Sequence, residues 1–321
     1  MDPCSSIVIE TKNLSKAYKD MQVVKDLNLT VKQHSIFGFL GPNGAGKTTT
    51  MKLLLGLIKP TGGSGKIFGL DIQKDSVAIH ERIGYLPQQP RFIEYMTARE
   101  NLRLTAGFFF SGPKAAVEER IQDTLALVGL EDKADRPIKG YSGGERQRLG
   151  IAQAQINYPD MLILDEPAAA LDPLGRHEVL EVMERLRKHT TIFYSTHILD
   201  DVQRISDAVA ILNHGELVAC GQIEQIMNRK GGTVYTVGVK GANDRFEDHL
   251  KQMSWVTQLS PSRNNGTTSW EVSVSDEEAA EALLYRHILM DEKIVVTEFS
   301  RKKYNLEEVF MDIVNGGNHE R

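Results

Sequence analysis

Four short apolar runs, at 36–40, 161–164, 191–194 and 209–212, punctuate the chain up to about residue 228. They are too short for helices and carry no polar alternation, so they read as strands buried on both faces. Between them, at 47–58, 117–128 and 177–187, apolar residues recur every three or four positions, the spacing of one helix face. Buried strands joined by crossover helices predict a mostly parallel sheet covered on both sides. Nearer the start, Leu27, Leu29 and Val31 alternate with polar neighbours, which predicts a half-exposed antiparallel strand in a flanking β layer. The stretch from about 89 to 155 reads largely helical and is expected as an insertion in the α/β core.

The texture changes after Lys230, Gly231 and Gly232. A strand at 233–239, a helix at 244–253 and strands at 256–259 and 270–274 are followed by a helix at 277–289 and a strand at 294–299. A last helix begins near Leu306. The order βαββαβ is that of a split βαβ sandwich, so a small α+β accessory domain is expected over 230–321, behind a main domain over 1–229.

Composition removes several classes. Of the 321 residues, 41% are hydrophobic and 25% charged, which suits a globular protein rather than a disordered or fibrous one. The net charge of −5 and the absence of a basic stripe argue against a nucleic-acid partner. Cys4 and Cys220 are the two cysteines, too few and too far apart for a disulfide framework or a clustered zinc site. No run approaches the roughly 18 apolar residues needed to cross a bilayer, so membrane work is expected to go through a partner.

The chemistry starts at Gly41. Gly41, Pro42, Asn43, Gly44, Ala45, Gly46, Lys47 and Thr48 fill every fixed position of G-x-x-x-x-G-K-[ST], with Thr49 following. An apolar strand enters this loop and an apolar-striped helix leaves it. Small glycines let backbone N–H groups curl around phosphate oxygens, and the helix N-terminus adds its positive end. Lys47 is expected to reach the β- and γ-phosphates, and the Thr48 hydroxyl to ligate Mg²⁺. The fold class sharpens to a phosphate-loop nucleoside-triphosphatase (P-loop NTPase) α/β core. A second signal is the strand at 161–164 running into Asp165 and Glu166. Consecutive strand residues face opposite ways, so Asp165 is expected toward the metal, directly or through water, and Glu166 toward an attacking water.

A third signal is Tyr141, Ser142, Gly143, Gly144, Glu145, Arg146, Gln147, Arg148, Leu149. Ser142 and Glu145 form a capping box, so a helix starts at Gly143 and offers a second phosphate-ready N-terminus. This stretch resembles the signature loop of ABC ATPases. Gln88 then looks like the family's Q-loop glutamine, which senses Mg²⁺ and the attacking water. Leu171 and Asp172 look like its D-loop, His197 like the switch histidine on the γ-phosphate, and Tyr18 like the aromatic that stacks on adenine. The resemblance covers roughly 7–228. The tail around Leu306 to Phe310 looks like the extension of drug- and antibiotic-exporting members.

The resemblance implies an ATP- and Mg²⁺-dependent ATPase working as a homodimer or as a heterodimer with a related subunit. Each signature would complete the partner's site, and a transmembrane permease would be driven from the cytoplasmic face of the membrane. A soluble ABC ATPase with a non-transport role is the alternative; its translation type carries two motif sets and its DNA-repair type a long coiled coil, and neither is seen here. Three departures stand out: Ala169 and Ala170 precede Leu171 without a serine, His34 stands where glycine is usual, and the signature carries Tyr141 and Glu145 in place of leucine and glutamine.

Overall fold

The computed structural model describes residues 7–227, 233–240, 247, 250–264, 267–289, 295–301, 307 and 310–311. They fall into two compact units, one running to Ile223 and including Phe310, the other beginning at Glu224.

The first unit opens with β1 (Ile7–Tyr18), β2 (Met21–Leu27), β3 (Thr30–Lys32) and β4 (Ile36–Leu40). Next come α1 (Lys47–Leu54), β5 (Gly62–Ile67), β6 (Leu70–Asp71), α2 (Ser76–His80) and β7 (Ile83–Leu86). Helices α3 (Ala98–Ala106), α4 (Lys114–Leu127) and α5 (Gly143–Gln155) form the expected helical insertion. The chain returns to the core with β8 (Met161–Asp165), α6 (Pro173–Leu186), β9 (Thr191–Thr196), α7 (Leu199–Ile205), β10 (Ala208–Asn213) and β11 (Glu216–Gln222).

Two sheets result. The core sheet runs β11-β10-β4-β9-β8-β7, with every neighbouring pair parallel except β10 and β11. The flanking sheet is antiparallel, in the order β2-β1-β5-β6 with β3 also on β1. Residues of β4, β8 and β9 are buried throughout, apolar in the strand interiors and polar at the strand ends, where Asp165, Thr191, Ser195 and Thr196 lie. Phe193 stands between Phe37 and Phe39, with ring centroids 5.8 and 5.3 Å away. Each such side chain contributes about 1.5–3 kcal/mol through the water-exposed area it loses.

Local chemistry explains where the elements depart from the periodicity. Leu27, Leu29 and Val31 are all buried, but the single strand expected there is broken into β2 and β3. Asn28 breaks it: its side chain donates to the Asp26 carbonyl at 2.8 Å and accepts the Asn13 N–H at 3.0 Å, in place of a ladder bond. Helix α1 stops at Leu54 rather than 58, because Gly56 takes a left-handed conformation (φ 66°) and turns the chain out. Helix α6 starts earlier than its apolar stripe. Pro173 stands at its first turn, and the Asp172 carboxylate caps it by accepting the Gly175 N–H at 2.9 Å.

The second unit contains α8 (Ile223–Met227, all but its first residue), β12 (Thr233–Lys240), β13 (Val256–Asn264), β14 (Thr267–Val274), α9 (Glu277–Ile288) and β15 (Val295–Arg301). Its antiparallel sheet is ordered β13-β14-β12-β15. Val237, Val239, Val272, Leu284 and Ile288 fill its core. The strands at 256–264 and 267–274 are longer than the sequence suggested and meet as a hairpin. Half of the expected helix at 244–253 (244–246, 248 and 249), and Leu306 of the last one, lie outside the described residues.

Gly84 in β7 fixes how closely the signature helix approaches the core sheet. A Cβ there would come within 2.0 Å of the Ala154 carbonyl in α5, and backbone cannot yield as a side chain can. Gly84→Ala is expected to cost about 1–3 kcal/mol, the scale of overpacking, in equilibrium urea unfolding.

Candidate functional site

The phosphate loop leaves the carboxyl end of β4. Gly46 precedes α1 with φ 103°, and a Cβ there would meet the Val23 carbonyl at 2.6 Å. Only glycine takes that turn without strain. Lys47 opens α1, and its ammonium donates to the carbonyls of Gly41 at 2.7 Å and Pro42 at 3.2 Å. The same ammonium lies 3.0 Å from Glu166 Oε1, with both side chains almost fully buried. A cavity of about 340 Å³ spans this region. Pro42, Asn43, Gly44, Gly46, Lys47, Thr48, Thr49, Gln88 and Glu166 line it, together with Val23.

Two neighbouring strands supply the acids and the histidine. Asp165 is the last residue of β8 and is 1% exposed; Glu166 turns off the strand with φ 51°. Ser195, paired with Asp165 in β9, holds both. Its hydroxyl donates to Asp165 Oδ1 at 2.6 Å and accepts the Glu166 N–H at 2.9 Å. His197, just past β9, places Nδ1 2.6 Å from Glu166 Oε2. The Glu166 carboxylate therefore sits between an ammonium and an imidazole at the mouth of the phosphate-loop cavity.

The signature residues build a second concavity. Ser142 Oγ accepts the Glu145 N–H at 3.2 Å, and Glu145 Oε2 accepts the Ser142 N–H at 2.7 Å, closing the capping box at the start of α5. Tyr141 is buried, and its hydroxyl donates to the Lys133 carbonyl at 2.5 Å. Ser142, Gly143, Gly144 and Glu145 share a cavity of about 390 Å³ with Leu171 and Asp172. No residue lines both this cavity and the phosphate-loop one.

Similarity to known proteins now bears on the chemistry. A profile described as "ABC transporter" matches residues 24–169, and one described as "ATP-binding protein DrrA1-3-like, C-terminal domain" matches 221–314. The bacitracin transport ATP-binding protein BcrA of Bacillus licheniformis is 44% identical over 215 residues, 66% of this chain and 69% of its own length. The daunorubicin/doxorubicin resistance ATP-binding protein DrrA of Streptomyces peucetius is 32% identical over 304 residues, 94% of this chain and 91% of its own. This chain belongs to the ABC transporter ATP-binding proteins. Among solved structures, a dimeric post-hydrolysis state of an ATP-binding cassette bound to ADP and Pi is similar, with a TM-score of 0.61 and 27% identity. The match covers 67% of this chain and 98% of that one.

As a family member the chain is an ATPase, and its geometry shows which groups can act together. Lys47, Thr48, Thr49, Gln88 and Glu166 meet in one cavity; Asp165 is buried at the end of β8, bonded to Ser195 and not among the lining residues, and His197 reaches the cavity through Glu166. Ala45 is buried behind the loop. Tyr18 is 46% exposed at the end of β1 and is not among the residues lining the cavity, whereas Val23 is. Two contributors were missed by sequence reasoning. Val23 carried no signal beyond strand alternation, while Ser195 offered one: a polar residue held buried at the end of an apolar strand. The residue types proposed for magnesium fit it chemically, since the Thr48 hydroxyl, the Gln88 amide and the Asp165 carboxylate all offer hard oxygens; Thr48 and Gln88 line the cavity, and Asp165 is buried beside Ser195. Among the described residues no group of three His, Cys, Asp or Glu could hold a metal ion.

Ser195→Ala removes one hydroxyl and strands two buried partners. Unfolding stability is expected to fall by about 1–3 kcal/mol, and ATP turnover by on the order of tenfold as Glu166 loses its tether. Phosphate-release assays beside chemical denaturation check both.

Proposed function

We propose that this chain is the energising subunit of an exporter, hydrolysing MgATP as a dimer and driving a separate transmembrane permease. The observation that supports this best is the division of phosphate-binding features between two cavities with no common lining residue. One triphosphate needs one cradle. A second helix N-terminus opening on its own cavity is explained if it serves the ATP of a neighbouring chain, a homodimer partner or a related subunit.

In this reading Lys47 moves from Glu166 to the β- and γ-phosphates as ATP enters, since it is the cation already inside the cavity. Freed of that ion pair, Glu166 orients and deprotonates the attacking water, and His197 holds its other oxygen and faces the γ-phosphate. Thr48, Gln88 and Asp165 hold Mg²⁺, which neutralises phosphate charge when bound. Tyr18 stacks on adenine. Tyr141, Ser142, Gly143, Gly144 and Glu145 close over the partner's nucleotide, with Leu171 and Asp172 alongside.

Among the described residues no helix is long and apolar enough to cross a membrane. In this reading the permease is a separate chain or chains, and this one works peripherally at the cytoplasmic face. A docking place is available beside Gln88: a groove of about 250 Å³ lined by Tyr85, Pro87, Pro90, Arg91 and Phe109, with Phe108 exposed next to it. The direction is export because the similar chains named above serve bacitracin transport and daunorubicin/doxorubicin resistance. The domain division that accompanies this reading is 1–229 for the ATPase, with a helical subdomain over 89–155, and 230–321 for an accessory split βαβ domain. A division in this region is supported by the break between compact units after Ile223 and by the two profile matches, although Phe310 groups with the first unit.

Glu166→Gln is expected to retain ATP binding while turnover falls by on the order of a hundredfold or more; near-normal turnover would remove Glu166 from the role. The shared site is tested by mixing two inactive chains, Lys47→Ala and Ser142→Arg. Head-to-tail pairing gives a mixed dimer one site with both defects and one with neither, so hydrolysis should return in part. With mixed dimers verified by differential tags, no recovery would overturn the shared site. Co-purification of a membrane protein with the tagged chain checks the permease.

A further inference from the structure

The signature helix carries an acid where it must receive an anion. Glu145 stands in the first turn of α5 and is 7% exposed, so water screens its charge poorly. A helix N-terminus offers roughly half a positive charge. One whole carboxylate in the same turn outweighs it and opposes a triphosphate at that N-terminus. Of the other charged residues lining the cavity, Arg148 is paired with Glu178 and Asp172 caps α6, so the cation that meets Glu145 itself is Lys133. Lys133, at the end of a 3-10 turn (Glu131–Lys133), places its ammonium 2.5 Å from Glu145 Oε1. Lys133 lines the same cavity as Ser142, Gly143 and Asp172.

The pair is held from both ends. Glu145 Oε2 is occupied by the Ser142 N–H at 2.7 Å, so one oxygen caps the helix while the other meets the lysine. Lys133 is anchored in turn by its carbonyl, which accepts the Tyr141 hydroxyl at 2.5 Å. The two positions at which this signature departs from the commonest family sequence, Tyr141 and Glu145, thus both contact Lys133. Burial pushes the Glu145 carboxyl up, but Lys133 and the Ser142 N–H outweigh it and hold the group below its ordinary value. The acid therefore stays ionised at neutral pH, and its charge has to be balanced rather than removed by protonation.

We propose that Lys133 is a positioning residue of the shared ATP site, the counter-ion that makes an acidic signature helix able to receive the partner's triphosphate. The proposal rests on the shared-site reading above. It makes Lys133 and Glu145 interdependent: the lysine is required only because the acid is present. A lysine that merely reinforced the helix cap would matter for stability whatever the side chain at 145.

The test uses the full chain and measures turnover and ATP-driven dimerisation against ATP concentration, with nucleotide binding to the dilute monomer as a separate readout. Lys133→Ala is expected to raise the half-saturating ATP for dimerisation and turnover by on the order of tenfold, the scale of one charge-assisted hydrogen bond. Monomer binding at the phosphate loop should be unchanged. Lys133→Arg should restore the original value. In a Glu145→Gln background, which has no acid to balance, adding Lys133→Ala should change the half-saturating ATP little relative to Glu145→Gln alone. An equal rise in both backgrounds, or a Lys133→Ala chain that behaves like the unaltered one, would overturn the proposal. Ser142→Arg run in parallel separates the two levels. If Ser142→Arg blocks turnover while Lys133→Ala does not, the Lys133 inference alone is wrong. If Ser142→Arg turns over normally, the shared site is wrong and the inference falls with it.

Discussion

The parallel register of β4, β9 and β8 is the constraint on which the rest of the molecule depends. Leu40 pairs with Thr196, and Asp165 with Ser195, so the three strands end level with one another. Each then releases a different group: the phosphate loop after β4, Glu166 after β8 and His197 after β9. None of these groups is near another in sequence, and the local conformation of each only makes sense at a shared sheet edge. Because strand side chains alternate, a one-residue slip of β9 would turn Ser195 away from Asp165 and break both of its hydrogen bonds. It would also exchange the faces taken by Phe193 and Tyr194, parting Phe193 from the rings of Phe37 and Phe39 and the buried Tyr194 hydroxyl from Ser206 Oγ at 2.8 Å.

The same electrostatic problem occurs twice in the chain and has the same solution both times. A helix N-terminus suited to phosphate has a carboxylate beside it that serves another end: Glu166 beside α1, and Glu145 within α5. Each acid is matched with a lysine, Lys47 at 3.0 Å and Lys133 at 2.5 Å. The surroundings differ. Lys47 and Glu166 are 6% and 5% exposed, so parting them without another charge to replace the lost partner is costly. An arriving triphosphate is such a charge. Lys133 is 42% exposed and has no burial cost of its own to recover, which suits a fixed counter-ion rather than one that moves.

How far the sequence could be read depended on the kind of signal. Buried strands announced themselves, because a run of four or five apolar residues has few other uses, and the phosphate loop and capping box are backbone chemistry written in fixed residue types. Element ends were less legible. Asn28 breaks a strand that its alternating neighbours continue, and Gly56 ends a helix whose apolar stripe runs on, because side-chain and backbone hydrogen bonds decide ends while periodicity reports only faces. Partnerships between distant residues were least legible. Ser195 with Asp165 and Glu166, and Lys133 with Glu145, are individually unremarkable residues until the fold sets them side by side. Asp172 shows the reverse case: a residue picked out for what it faces also has the ordinary work of capping α6.

Helix α5 connects these pieces mechanically. Its first turn presents the signature, and its middle is gripped on several sides. The Gln147 amide donates to the Gln88 carbonyl at 3.3 Å, so the glutamine of the phosphate-loop cavity is bonded directly to the signature helix. Arg148 donates to the carbonyls of Val128 and Gly129 beyond the end of α4, at 3.0 and 2.9 Å, and pairs with Glu178 of α6 at 3.2 Å. Gly84 allows the sheet to press against the other end. Gln147 and Arg148 are both nearly buried, so these contacts have no water to replace them. The signature helix is thus in direct contact with the phosphate-loop cavity through Gln88 and with the end of α4 and α6 through Arg148, so the two cavities, which share no lining residue, are joined by packed side chains of one element.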